Sequence, residues 1–253
     1  KPEGKDPGLK ELLYLHFTMD DNLSLDEEVK ARYRSMYVGV FFKRYILGLW
    51  AAAEGVIYDM FDEARHVRDI KDFFQLLING NRYVSCDYGT QNATVFLLWN
   101  KGRDGVWYCI REYYYSGRTE GKQKTDSEYA DDLESWLEET KIKGIIVDPS
   151  AASFIAELRK RGYKVVKAKN NVEDGIRVVG TKLNQEAIIF ADSCVNTIQE
   201  FGSYIWDEAA AAHGEDRPVK EHDHAMDALR YFVYTILNNQ TAIIRSKRKA
   251  GFH

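Results

Sequence analysis

Residues 82–87 read RYVSCD, a run with strand-forming residues that ends on an acid, and the part of the chain that decides the fold begins here. Two similar runs follow, 92–100 (NATVFLLWN) and 106–115 (VWYCIREYYY), with the glycine-containing turn 101–105 (KGRDG) between them. Aromatic and β-branched runs joined by such a turn are typical of an antiparallel meander. The sequence therefore predicts three neighbouring strands at the start of this region.

Helical and strand-like segments alternate after the meander. Residues 126–140 (DSEYADDLESWLEET) place Tyr129, Leu133 and Leu137 on one helical face. Residues 144–148 (GIIVD) form a short apolar strand. The segments expected beyond it are helices at 151–160, 172–179, 197–204 and 221–238 and strands at 163–168 and 186–191. This order predicts an α/β fold of ribonuclease H-like type, a mixed β-sheet flanked by helices on both faces.

The composition is that of an ordinary folded protein. The 253 residues are 45% hydrophobic and 29% charged, and no stretch approaches the roughly 18–20 consecutive apolar residues of a membrane helix. The first residues, KPEGKD, contain no apolar leader segment, and the three cysteines form no CxxC pair. We therefore expect a cytosolic chain without membrane contact, a disulfide framework or a zinc site.

The sequence pattern divides the chain into three parts. Residues 1–80 lack the α/β rhythm, which indicates the end of another domain and a linker, whereas 81–238 carry the predicted sheet and helices. Residues 239–253 contain RSKRK at 245–249 and predict a basic, mobile tail. The net charge of −4 and the isoelectric point near 5.9 argue against an extended basic surface. Binding to nucleic acid would therefore depend on local groups of basic residues.

Three acids stand where α/β folds place their sites. Asp87 ends the first predicted strand, and Asp148 ends the strand after the first helix, at the carboxyl edge of the sheet. Asp227 borders the buried face of the last helix, three residues after His224. Each acid has a structural alternative. Asp87 could belong to a turn, Asp148 could cap the helix that Pro149 opens, and acids are favoured in a first helical turn.

Together, the three acids predict a divalent-metal site. Mg²⁺ and Mn²⁺ prefer hard oxygen ligands, and a pair of such ions needs a cluster of carboxylates with few other ligands. In that arrangement one ion activates water and the other stabilises the departing 3′ oxygen during in-line attack on a phosphodiester. His224 is open to three roles: metal ligand, proton relay, or support that orients Asp227.

Other reaction classes lack their motifs. The sequence has no GxxxxGK[ST] phosphate loop, no HExxH and no GxSxG. Glu157 and Lys160 follow Asp148 as E-x-x-K, not with the E-x-K spacing of restriction-type nucleases. Cys86, directly before Asp87, is expected to be a core residue rather than a nucleophile.

Several segments within residues 15–238 carry a family resemblance. They are YVSCDYGTQN at 83–92, DSEYA at 126–130, GIIVDPS at 144–150 and DHAMDALRY at 223–231. In combination they resemble the nuclease domain of the large terminase subunit of tailed double-stranded DNA phages, in particular the Bacillus headful-packaging phages and related prophages. FKRYILGLW at 42–50 and AEG at 53–55 resemble the end of the ATPase domain that precedes this nuclease.

The resemblance implies a ribonuclease H-like endonuclease, dependent on Mn²⁺ or Mg²⁺, that cuts concatemeric viral DNA during packaging in the cytoplasm of the bacterial host. The family's three acidic positions match Asp87, Asp148 and Asp227, and His224 matches a histidine near the metals. The ATP-driven motor would lie upstream of Lys1, so residues 1–80 would be a remnant of it and this chain should not hydrolyse ATP. Implied partners are double-stranded DNA, the ATPase domain, the small terminase subunit and the portal protein. We expect a monomer in isolation.

Contact with DNA is expected from several basic residues, although such groups are also common on solvated surfaces: Lys122, Lys124, Arg159, Lys160, Arg161, Lys167 and Lys169. Two alternatives remain open. One is another ribonuclease H-like nuclease, such as a resolvase, a transposase or an exonuclease. The other is a non-catalytic module that docks on the portal or the motor, in which the three acids do not converge and metal gives no thermal stabilisation.

Overall fold

The computed structural model describes residues 15–89 and 92–238. Contacts divide the chain into two compact units, one up to Ala51 and the other from Ala52. The described elements of the first unit are a 3₁₀ turn, Met19–Asp21, and two helices, α1 (Glu27–Arg34) and α2 (Gly39–Tyr45). Asp26 sets the start of α1, because its carboxylate accepts a hydrogen bond from the Val29 amide at 2.8 Å.

The second unit contains the sheet and its helices. Its elements in chain order are α3 (Glu63–His66), β1 (Val67–Arg68), α4 (Ile70–Phe73), a 3₁₀ turn (Phe74–Leu76), β2 (Leu77–Asp87), β3 (Ala93–Gly102), β4 (Trp107–Ser116), α5 (Asp126–Leu137), β5 (Ile145–Val147), α6 (Ala152–Lys160), β6 (Val165–Lys167), α7 (Val172–Asn184), β7 (Ile188–Ala191), α8 (Val195–Ser203), α9 (Glu208–Ala211), α10 (His224–Phe232) and a π-helical continuation, Val233–Leu237. α10 begins at His224 rather than at the predicted residue 221, because His222 has a positive φ of 51°.

The sheet is mixed and has seven strands in the order β1-β7-β4-β3-β2-β5-β6. β2, β3 and β4 form the predicted antiparallel meander. β5 pairs with β2 in parallel and β6 with β5, while on the other side β7 pairs in parallel with β4 and β1 with β7. The prediction of a mixed α/β sheet is confirmed.

Helices cover both faces of this sheet. In β2, Val84 and Cys86 are fully buried in the core that includes side chains of α5 and α6. Ser85 faces the opposite side, where it accepts a hydrogen bond from the Trp99 indole at 3.0 Å, and the Trp99 ring stacks on Phe232 of α10 with centroids 4.3 Å apart. The alternation along β2 therefore separates an α5–α6 face from an α10 face.

Residues 52–80 pack within the larger unit. Val67 of β1 pairs with Phe190 of β7, and the Phe73 ring stacks on Tyr108 with centroids 4.4 Å apart. The contacts thus divide the chain at Ala51 rather than at residue 80, because this segment supplies an edge strand and core side chains. The assignment of 1–80 to an ATPase remnant and linker stays a prediction, and the predicted tail, 239–253, lies outside the described residues.

Over residues 15–89 and 92–238, no helix has the length and hydrophobicity to cross a membrane.

Candidate active site

The register of two parallel strands places Asp87 beside Asp148. Cys86 of β2 is paired with Val147 of β5. Asp87 directly follows Cys86, and Asp148 directly follows Val147. Neighbouring strands lie about 4.8 Å apart, and paired residues of parallel strands point to the same face. Because Cys86 faces the α5–α6 core, both acids belong to the α10 face. Asp87 and Asp148, the two acids predicted at strand ends, are therefore neighbours.

One face of α10 crosses these strand ends. His224, Asp227 and Tyr231 are spaced i, i+3 and i+7, so they lie along one side of the helix. The His224 Nδ1 atom lies 3.0 Å from the Asp87 Oδ2 atom, and the Tyr231 side chain lies near enough to Asp148 to help lower the pKa of that carboxyl. Asp227 stands between these two contacts in the helix. The structure therefore assembles all four predicted site residues around the ends of β2 and β5.

Glu200 of α8 fixes the start of α10. One oxygen of its buried carboxylate accepts hydrogen bonds from the amides of Ala225 (2.7 Å) and Met226 (3.2 Å), and the other accepts one from the Tyr114 hydroxyl (2.9 Å). These amides are among the donors that a helix N-terminus leaves unpaired, and the helix dipole favours an acid there. Burial outweighs these hydrogen bonds and raises the pKa of Glu200 to about 7.

The carboxylate of Asp227 is held by two cations. Arg230 Nη2 donates to one oxygen at 2.7 Å, and Lys220 Nζ lies 3.5 Å from the other oxygen and 3.0 Å from Asp223. Arg230 is almost fully buried, with 2% of its surface exposed. It reaches Asp227 across Gly175 of α7, where a Cβ atom would stand 2.5 Å from the Arg230 Cγ atom. Only glycine leaves room for this path.

The site shifts the pKa values of its acids in opposite directions. Burial raises the pKa of Asp87 to about 6; the hydrogen bond to His224 opposes this, and the charge of Asp227 adds to it. Burial lowers the pKa of His224, but the hydrogen bond to Asp87 and the nearby charges of Asp87, Asp223 and Glu200 together outweigh it, so this pKa is raised. The pKa of Asp148 is lowered, because hydrogen bonds, above all from Ser150, outweigh its burial. Asp87 and His224 therefore compete for a proton close to neutral pH, whereas Asp148 stays ionised.

The donor types suit a divalent metal, but the side chains are engaged elsewhere. Across the described part of the chain, no group of three or more His, Cys, Asp or Glu side chains is arranged to hold a metal ion. Asp227 is bound to Arg230 and Lys220, and Asp148 accepts hydrogen bonds from the Ser150 amide (2.8 Å) and the Asn170 side chain (3.3 Å). Both carboxylates therefore already have polar partners within the protein.

The basic residues predicted to contact DNA are mostly used in ion pairs. Lys122, Lys124 and Lys160 pair with acids of α5 and α6, and Arg161 pairs with Glu157 at 2.8 Å and with two acids of α5. The Arg161 contacts join α5 to α6 and are structural.

Three of these residues have other surroundings. Arg159 and Lys167 are exposed on α6 and β6. Lys169 lies over the Tyr234 ring, 5.7 Å from its centroid, and directly precedes Asn170, which touches Asp148. Among the seven predicted residues, Lys169 therefore lies next in sequence to a residue that contacts the candidate active site.

Sequence reasoning missed the residues that support the acids. Tyr231 lies in the 223–231 segment, and its i+7 spacing from His224 could have indicated a shared helix face. Glu200 and Lys220 reach the site from α8 and from the loop before α10, and no local signal marks them. Arg230 lies three residues after Asp227 in α10, so its i+3 spacing could have indicated their ion pair. Asp223, directly before α10, is buried and paired with Lys220.

No protein-family model matches the chain. The large terminase of the thermophilic bacteriophage D6E, solved with ADP, shares 59% identity and a TM-score of 0.81, over 89% of this chain and 56% of that one. The "Terminase, large subunit" of Escherichia phage T5 is 27% identical over 241 residues, 92% of this chain and 54% of the T5 protein. This chain is thus similar in sequence to the large terminase subunits of phages D6E and T5, over about half the length of each.

The fold of this chain is also that of separately solved nuclease domains from other large terminases. The nuclease domain of the P22 large terminase shares the fold, with a TM-score of 0.56 at 18% identity over 73% of this chain and 93% of that domain. The large terminase nuclease of phage G20c also shares the fold, with a TM-score of 0.52 at 13% identity over 72% of this chain and 97% of the G20c chain. The chain thus spans about half the length of the D6E and T5 terminases and carries the fold of a terminase nuclease domain.

Proposed function

We propose that this chain is a metal-dependent DNA endonuclease that cuts concatemeric viral DNA during genome packaging. The observation that carries the proposal is the crossing of α10 over the ends of β2 and β5, which gathers Asp87, Asp148, Asp227 and His224 at one edge of the sheet. The fold of terminase nuclease domains supports it.

The proposed cofactor is a pair of Mg²⁺ or Mn²⁺ ions held by Asp87, Asp148 and Asp227. Such ions, when bound, supply an activated water and stabilise the leaving oxygen of the phosphodiester. The G20c nuclease, which shares this fold, was crystallised with bound magnesium. In this chain Asp227 must release Lys220 to become a ligand, and the exposed Lys220 side chain, 63% accessible, is free to swing into solvent.

The remaining side chains orient the acids and hold a proton. The hydrogen bond between His224 Nδ1 and Asp87 Oδ2 keeps a proton between two groups whose pKa values are both raised. Ser150 and Asn170 hold Asp148, and Arg230 holds one oxygen of Asp227. These contacts fix the acids before substrate binds, which lowers the reorganisation that catalysis requires.

The wider setting follows the family. We propose double-stranded DNA as the substrate, with the terminase ATPase domain, the small terminase subunit and the portal protein as partners in the cytoplasm of the bacterial host. In isolation we expect a monomer without ATPase activity. The Bacillus phage group stays a prediction from the resemblance.

The test is cleavage of supercoiled plasmid with Mn²⁺, Mg²⁺, Ca²⁺ or EDTA. We expect nicking and linearisation with Mn²⁺ or Mg²⁺, none in EDTA, and loss of cutting in Asp87→Asn, Asp148→Asn and Asp227→Asn. Asp192→Asn is the matched control, because Asp192 also follows a strand but is exposed at the end of β7. If the folded chain does not cut DNA with any of these metals and gains no thermal stability from Mn²⁺, the result would favour the non-catalytic docking module.

A further inference from the structure

A polar cleft of about 630 Å³ opens beside His224. It lies between the end of β4 with its following turn, α8 and the loop before α10, and its lining includes Arg118, Asn196, Gln199, Lys220 and His222. Large apolar side chains contribute little to the lining, apart from Tyr114. Such a surface suits a charged, hydrated ligand rather than an apolar one.

The cleft leads directly to the acids. His224 lines it and bonds Asp87, and Lys220 lines it and bonds Asp223 and Asp227. A chain of phosphates lying in the cleft would therefore continue into the candidate active site.

One exposed positive charge without an acidic partner among the described residues lies in this cleft, next to the candidate active site. Arg118 is exposed and makes no ion pair or side-chain hydrogen bond with any residue in 15–89 or 92–238. By contrast, Lys122, Lys124 and Arg161 on the α5–α6 face are committed to acids. In a chain with a net charge of −4, phosphate binding needs such an uncommitted local cation.

In the part of the chain that the structure describes, the acids that line the cleft do not form an ion pair with Arg118. The carboxylate of Glu200 is buried and occupied by the Ala225 and Met226 amides and the Tyr114 hydroxyl. Glu221 is the exposed acid among the lining residues, which also include the cations Arg118 and Lys220.

We propose that this cleft binds the backbone phosphates of the DNA strand that is to be cut, with Arg118 as the principal phosphate contact. The inference rests on the proposed function and adds the path by which the strand reaches the acids. Arginine suits this role, because its planar group donates two parallel hydrogen bonds to a phosphate.

The test measures binding apart from cleavage. Fluorescence anisotropy of a labelled duplex, in EDTA and over a series of salt concentrations, would compare the full chain with Arg118→Ala, Arg118→Lys and Arg103→Ala. Arg103 is an equally exposed arginine in the turn at the opposite end of β4, which makes it the matched control.

We expect Arg118→Ala to weaken binding roughly tenfold and to reduce the slope of log K against log salt by about 0.7–0.9, the value of one lost phosphate contact. Arg118→Lys should retain the slope, and Arg103→Ala should match the parent chain. Unchanged affinity in Arg118→Ala, an equal loss in Arg103→Ala, or no DNA binding by the parent chain would each overturn the proposal.

Cleavage of the same duplex with Mn²⁺ separates this inference from the proposed function. If DNA binding depends on Arg118 but no cleavage occurs, the proposal that the cleft binds DNA would stand and the proposed nuclease function would be refuted. Cleavage with an unchanged KM and unchanged affinity in Arg118→Ala would retain the nuclease and refute the cleft.

Discussion

Replacement of Gly175 by alanine should disturb the candidate active site through Arg230. A Cβ atom at this position would stand 2.5 Å from Cγ and 2.7 Å from Cδ of Arg230, closer than real Cβ contacts. Because Arg230 is buried and holds Asp227 at 2.7 Å, its side chain cannot move away without moving or losing that carboxylate.

The magnitude follows from two opposing effects. Alanine is favoured over glycine inside a helix by about 0.8–1 kcal/mol, whereas overpacking a core costs about 1–3 kcal/mol. The net loss of unfolding free energy should therefore be about 0–2 kcal/mol. Breaking the buried ion pair would cost about 3–5 kcal/mol, so we expect Arg230 to shift with Asp227 attached. A displacement of about 1 Å in a catalytic group can reduce the rate about 10²-fold.

The assay pairs urea unfolding with plasmid cleavage. Gly175→Ala should lose far more activity than stability. Gly202→Ala is the control, because Gly202 lies in α8 with no atom within 4 Å of the added Cβ, and it should be as active as the parent chain and no less stable. Full activity with unchanged stability in Gly175→Ala would refute the account of Arg230 as the residue that positions Asp227.

Three further changes test other contacts. Lys220→Met should let Mn²⁺ stabilise the protein at lower concentration, because Asp227 loses a competing cation; an unchanged Mn²⁺ dependence of the melting temperature would contradict this. Glu200→Gln should remove part of the pH dependence of unfolding between pH about 4.5 and 7. The raised pKa of Glu200 stabilises the fold at low pH, and this contribution is lost as the pH rises to about 7, so equal slopes of urea midpoint against pH in both proteins would disprove it. Arg161→Ala should lower stability, with Arg159→Ala as the exposed control; weaker DNA binding at full stability would instead return Arg161 to the DNA surface.

Much of the fold could be predicted because its signals are local. The meander is marked by strand-forming runs and a glycine turn, and the acids at 87 and 148 stand at the ends of two strand-forming runs that pair in register. The i, i+3 relation of His224 and Asp227 likewise depends only on helical periodicity. Local patterns therefore sufficed to name four residues that the structure brings to one edge of the sheet.

The long-range contacts around those residues could not be predicted, because they join residues that are distant in sequence. Glu200 meets the start of α10 across 25 positions, and Gly175 meets Arg230 only after α7 packs on α10. The same limit applies to Arg161, a basic residue in a surface pattern whose acids lie on another helix. Which charges are free and which are paired is decided by tertiary packing.

The most direct test of the central claim is the anomalous difference map of a crystal soaked in Mn²⁺ at a concentration that supports cleavage. The account predicts manganese between Asp87, Asp148 and Asp227, with Lys220 moved away from Asp227. Manganese elsewhere, or none at these acids with Asp227 still paired to Lys220, would contradict it.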